Sequence, residues 1–99
     1  MINISLTSRG FSVRGHAMHG RKGYDIVCSA VSALTQTFAE AIEVECNGSV
    51  NDYGGVYSVE VRKPTEESKM LIRALTRGLE HIERDYPKHL QLRIQRGVM

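Results

Sequence analysis

The sequence has no tryptophan and few aromatics of any kind, four Tyr and two Phe in 99 residues. It therefore has no aromatic platform on which nucleic-acid bases would stack, and it carries no recognised nucleic-acid-binding motif. Two cysteines, Cys28 and Cys46, are too few for a disulfide framework. No apolar run approaches the ~20 residues that a membrane span needs. Met1-Ile2-Asn3-Ile4-Ser5-Leu6 has neither a basic start nor a continuous apolar stretch, so it does not read as a signal peptide. These absences predict a cytosolic protein without a membrane partner. Repeats, low-complexity segments and long linkers are also missing. One domain over residues 1–99 is expected.

What is present is an ordinary globular composition, 41% apolar and 24% charged. A chain of this length buries roughly 60–65% of its unfolded surface, enough for one modest core. Residues 1–61 hold four Lys/Arg against six Asp/Glu, and residues 62–99 hold nine against five. The basic second half permits an acidic partner, but so small an excess favours a solvated helix face.

Ile2, Ile4 and Leu6 alternate with Asn3, Ser5 and Thr7, the period of a half-buried strand. Ser8-Arg9-Gly10 is a turn, and Phe11, Val13 and Gly15 continue the alternation as a hairpin. Val27, Ala30, Val31, Leu34, Phe38, Ala41 and Ile42 recur at helical spacing and predict a helix over about 25–44. Val56 to Arg62 reads as a strand, with a short partner segment over 44–50. Thr65 caps a second helix, whose stripe is Leu71, Ile72, Leu75, Leu79 and Ile82. Asp85-Tyr86-Pro87 ends it, and Leu90, Leu92 and Ile94 mark a last strand. The expected fold is α+β: a two-layer sandwich, mostly antiparallel, with two helices on one face and the order β-β-α-β-α-β.

Chemistry concentrates in Gly15-His16-Ala17 and in Asp25-Ile26-Val27-Cys28. Cys28 is expected in the first helical turn, where unpaired N–H groups and the helix dipole favour a thiolate. It falls off the apolar stripe, on a small polar face with Asp25, Ser32 and Thr35. His16 stands at a strand end, a loop away. A Cys–His pair so placed has the parts of an activated nucleophile. Spacing alone favours a buried structural thiol over a catalytic one. Asp25 reads as a helix cap or as a group that orients His16, the cap being favoured. Ser32 is either a hydrogen-bonding support or a small residue that makes room. Gly20 and Gly23, flanking the charged Arg21-Lys22, mark a mobile loop. His19, His81 and His89 read as loop or surface residues, and Cys46 as a structural or partly exposed thiol. No C-x-x-C or H-x-x-x-H spacing supports a zinc site built from His16, His19, Cys28 and Cys46.

Gly15-His16-Ala17, the glycine-containing loop and Asp25-Ile26-Val27-Cys28-Ser29-Ala30-Val31-Ser32 together resemble the ribosomal-processing cysteine protease family. Its members have a G-H-A motif and a D-I-V-C-A-A-V-S helix start at a similar His-to-Cys separation. Ser29 replaces the family's usual Ala, and the loop Met18-His19-Gly20-Arg21-Lys22 is more basic than expected. The resemblance implies a small homodimeric enzyme of bacteria or their phages, without metal or cofactor. It implies removal of a short N-terminal extension from a large-subunit ribosomal protein, just after an apolar, Phe-containing segment. Carried onto this chain, Cys28 is the nucleophile and His16 the general base, with Gly15, Asp25 and Ser32 at further motif positions. Two other readings stand beside it. One is the same chemistry on a phage capsid or scaffolding precursor. The other is a non-enzymatic module that binds a ribosomal or acidic surface through Arg73, Arg77, Arg84, Lys88, Arg93 and Arg96.

Overall fold

The computed structural model describes residues 1–15 and 24–95; of Tyr24 and Asp25 it describes the backbone. The order is β1 (Ile2–Thr7), β2 (Gly10–Arg14), α1 (Tyr24–Cys46), β3 (Ser49–Tyr53), β4 (Val56–Glu60), α2 (Glu66–Asp85) and β5 (Leu90–Ile94). The five strands form one sheet in the order β3-β4-β2-β1-β5. Three neighbouring pairs are antiparallel, and β1 pairs with β5 in parallel. The sheet is thus mixed. The parallel edge is possible because α2 supplies the long crossover such a pair needs.

Strand alternation builds the core directly. Register aligns Val50, Val59, Phe11, Leu6 and Ile94 in one row across the sheet. The next row on that face is Asp52, Tyr57, Val13, Ile4 and Leu92. The opposite face shows Asn51, Ser58, Ser12, Ser5 and Arg93. Ile2, Ile4, Leu6, Val13 and Val59 are buried together with Val27, Val31 and Ile42 of α1 and Ile72, Leu75 and Leu79 of α2. Each such buried side chain contributes about 1.5–3 kcal/mol. Both helices therefore cover one face, and the other is polar.

α2 begins with a reciprocal capping box. The Ser68 N–H donates to Thr65 Oγ1 at 3.1 Å, and the Thr65 N–H donates to Ser68 Oγ at 2.9 Å. Its end is marked by the Tyr86 N–H donating to the Ile82 carbonyl at 2.8 Å. The edge strand β5 is tied to α2, because the Leu92 N–H donates to Glu83 Oε2 at 2.8 Å. That bond occupies an edge group otherwise open to strand pairing.

Two boundaries differ from the sequence expectation. α1 runs on to Cys46, so residues 44–46 are helical and the partner strand starts only at Ser49. Asn47 takes a left-handed φ of 56° and ends the helix, as Asn tolerates. β3 is a full fifth strand, joined to β4 through Gly54 and Gly55 at φ 63° and 80°. Positive φ at both central residues is what a tight hairpin turn requires. The helical run of α1 won over the β-branched residues at its end because its apolar face is already packed there.

Candidate active site

Cys28 is the fifth residue of α1, so the helical N–H groups without intrahelical partners, those of Tyr24–Ile26, come just before it. Asp25 is the second residue of that helix. Its backbone is helical, which puts it within the first turn rather than at the preceding cap position. Ser32 lies one turn beyond Cys28 and is half-buried. Gly15 follows β2 directly, with φ 73°. A Cβ built there would stand 2.4 Å from the Met1 carbonyl oxygen, so the chain leaving β2 has room only for glycine. His16, His19, Gly20, Gly23 and Arg96 lie outside the described residues, as do the Asp25 side chain and the whole intervening loop.

The polar face expected around Cys28 is instead a buried one. Cys28 is 2% exposed and Thr35 1%, and Cys28 joins the core beside Val27 and Val31. The reason is tertiary. α1 lies over the sheet and against α2 at once, so its buried arc is wider than the apolar stripe. Leu34 meets α2 closely, since a Cβ on Gly78 would lie 3.2 Å from it. Small residues on the sheet side can be buried because their polar atoms are satisfied within the helix. Thr35 Oγ1 donates to the Val31 carbonyl at 2.7 Å.

Cys46 is half-buried near the far end of α1, and no disulfide joins it to Cys28. Their separation of 18 helical residues is roughly 27 Å. His81 is exposed. His89 is half-buried, and its carbonyl accepts from the Ile2 N–H at 2.9 Å, which makes it part of the β1–β5 join. Among the described residues, no three His, Cys, Asp or Glu gather as metal ligands, and no helix is long and apolar enough to cross a membrane.

A cleft of about 190 Å³ opens on the helix-covered side of the sheet, lined by Val13, Thr35, Gln36, Asp52, Gly55 and Tyr57. Sequence reasoning did not single it out. Its one early sign is Asp52, an acid on the same strand parity as Val50. Burial holds the Tyr57 phenol above its ordinary pKa, and the carboxylates of Asp52, Glu43 and Glu40 push it the same way.

The family model "Cysteine protease Prp" matches residues 1–91. The chain belongs to that family. It is a cysteine peptidase, and the Prp match spans both predicted motifs, strand end and helix start. Among curated Prp proteins, that of Staphylococcus aureus (strain Mu50) is 29% identical over 83 residues, covering 79% of this chain and 78% of its own. That of Mycoplasma genitalium is 27% identical over 93 residues, covering 91% and 92%. Both are called ribosomal processing cysteine proteases. Among solved structures, the Streptococcus mutans protein SMU.848 superposes with a TM-score of 0.78 at 26% identity, covering 96% of this chain and 94% of that one. S. aureus Prp with a covalently linked product peptide gives 0.76 at 25% identity, covering 96% and 100%. The two-helix, five-strand arrangement is thus the Prp fold.

Proposed function

We propose that this enzyme removes a short N-terminal extension from a bacterial large-subunit ribosomal protein precursor, acting as a cytosolic homodimer. Cys28 is the nucleophile and His16 the general base. The observation that supports this most is the family match across both motifs, together with the names of the relatives. The position of Cys28 agrees with it. The thiol follows directly on the N–H groups of the first turn, which can donate to an oxyanion formed beside them.

In this reading His16 takes the Cys28 proton, and the thiolate attacks the scissile carbonyl. The tetrahedral intermediate collapses to a thioester as His16 gives the proton to the leaving amine. Water, deprotonated by His16, then attacks the thioester and releases the carboxylic acid and the thiol. Asp25 and Ser32 support the site from the first and third turns of α1, and Gly15 sets where the strand ends.

Burial provides a discriminating test. Cys28 is nearly inaccessible and Cys46 is half-buried, so accessibility alone ranks Cys46 as the faster thiol to alkylate. An activated Cys28 reverses that order at neutral pH, and His16→Ala restores it. Cys28→Ala should abolish cleavage of the precursor peptide while the circular dichroism spectrum stays folded. Cleavage retained in Cys28→Ala ends this reading.

A further inference from the structure

The row of side chains across the helix face is apolar at Leu92, Ile4 and Val13, then changes character at Tyr57 and Asp52. There the 190 Å³ cleft opens between Thr35 and Gln36 of α1 and the strands β2, β3 and β4. Val13 and Thr35 are buried and form its floor, while Gln36, Asp52 and Gly55 stand exposed at its rim. Its volume falls below the ~300–1,000 Å³ of a small-molecule pocket and suits a single side chain.

Its place relative to Cys28 is fixed by α1. Thr35 lies seven residues after Cys28 on the same buried face, about 10 Å along the helix axis. An extended peptide covers that distance in about three residues. The hollows on the open sheet face are separated from Cys28 by the sheet itself. The hollow beside Cys46 is at the far end of α1.

We infer that this cleft is a subsite for a Lys or Arg side chain of the substrate, about three residues from the scissile bond, with Asp52 as its counter-ion. The aliphatic stem would lie over Val13 and the Tyr57 ring, and the cationic head would reach Asp52. The charge on the page favours a cation. Among the described residues of the lining, Asp52 alone is charged. The carboxylates of Glu43 and Glu40 act on Tyr57 in the same sense as Asp52, each adding to the effect of burial in raising its pKa. α1 carries no Lys or Arg to oppose them.

This inference rests on the protease reading, and one experiment separates the two. Internally quenched peptides built on the apolar, Phe-containing cleavage segment would carry Lys, norleucine or Glu at single positions on either side of the scissile bond. For the full-length wild-type enzyme, kcat/KM should favour Lys over norleucine by about fivefold at one position about three residues away. Asp52→Asn should bring that ratio close to one, and Asp52→Lys should turn the preference towards Glu. Glu66→Gln, on the first turn of α2, should keep the wild-type ratio and so exclude a general charge effect. The same Lys-to-norleucine ratio in Asp52→Asn and wild type overturns the subsite. It would leave Asp52 as an inward-facing charge that only guards the β3 edge against pairing. Wild-type cleavage with no Lys preference at any position also overturns it. Absence of cleavage of every peptide overturns the protease reading, and the subsite with it.

Discussion

Cys28 shows how little a residue's chemistry depends on its polarity pattern. Its neighbours at helical spacing are Ser, Thr and Asp, yet it is packed among valines. In the proposed mechanism this burial leaves the thiol to be reached from the N-terminal end of α1. Gly15 sets the junction where β2 ends. Its φ of 73° and the 2.4 Å approach to the Met1 carbonyl both exclude a side chain. Gly15→Ala should cost about 1–3 kcal/mol in thermal or denaturant unfolding. On the proposed assignment of His16 as general base, it should also lower kcat more than a surface substitution of equal stability cost does, because Gly15 is its immediate neighbour in sequence. An unfolding midpoint equal to wild type would show that the junction relaxes without strain.

At the scale of elements, the two helices are held by different means. α2 is specified locally by the Thr65–Ser68 capping box, Glu66 and Glu67 in its first turn, and a regular apolar stripe. Removing the box should be felt in isolation. Thr65→Ala should destabilise the fold by about 1 kcal/mol in urea unfolding, and adding Ser68→Ala should cost less than a second full increment, because both changes break one reciprocal pair. α1 is specified by what it lies against. Its width of burial could not be read from the stripe Val27, Val31, Leu34, Phe38 and Ile42, because Cys28 and Thr35 are buried only once both the sheet and α2 are in place. β3 was hard to see for a related reason. Ser49-Val50-Asn51-Asp52-Tyr53 is a polar edge strand with one apolar contact residue, and pairing with β4 rather than composition makes it a strand.

At the scale of the whole molecule, the acids of α1 and β3 converge on Tyr57, which lies at the margin of the core. Burial first, then Asp52, Glu43 and Glu40, raises its pKa above the ordinary 10.0. The folded chain thus holds the phenol proton more tightly than the unfolded chain does. The associated stability is complete below pH 10.0 and is lost as pH rises through the folded-state pKa. Tyr57→Phe has no such proton to lose. Its stability, followed by urea midpoints across the alkaline range, should decline less steeply above pH 10 than that of wild type. Equal slopes would place the alkaline loss elsewhere.

Local order was legible wherever a short-range period was enough to define it. The alternation of Ile2, Ile4 and Leu6, the stripe of α2, the Thr65 cap and the stop at Tyr86 are all contained in a few consecutive residues. The motif Gly15-His16-Ala17 with Asp25-Ile26-Val27-Cys28 pointed to the reaction class only through its resemblance to the family, since the spacing of one His and one Cys does not specify a reaction. Long-range assembly was not available to such reasoning. The parallel β1–β5 pair, the burial of Cys28 and the cleft that brings Val13 and Thr35 against Asp52 and Tyr57 each join residues far apart in the chain. Their formation depends on closing long loops and on which surfaces then exclude water, and neither is encoded in any single window of sequence.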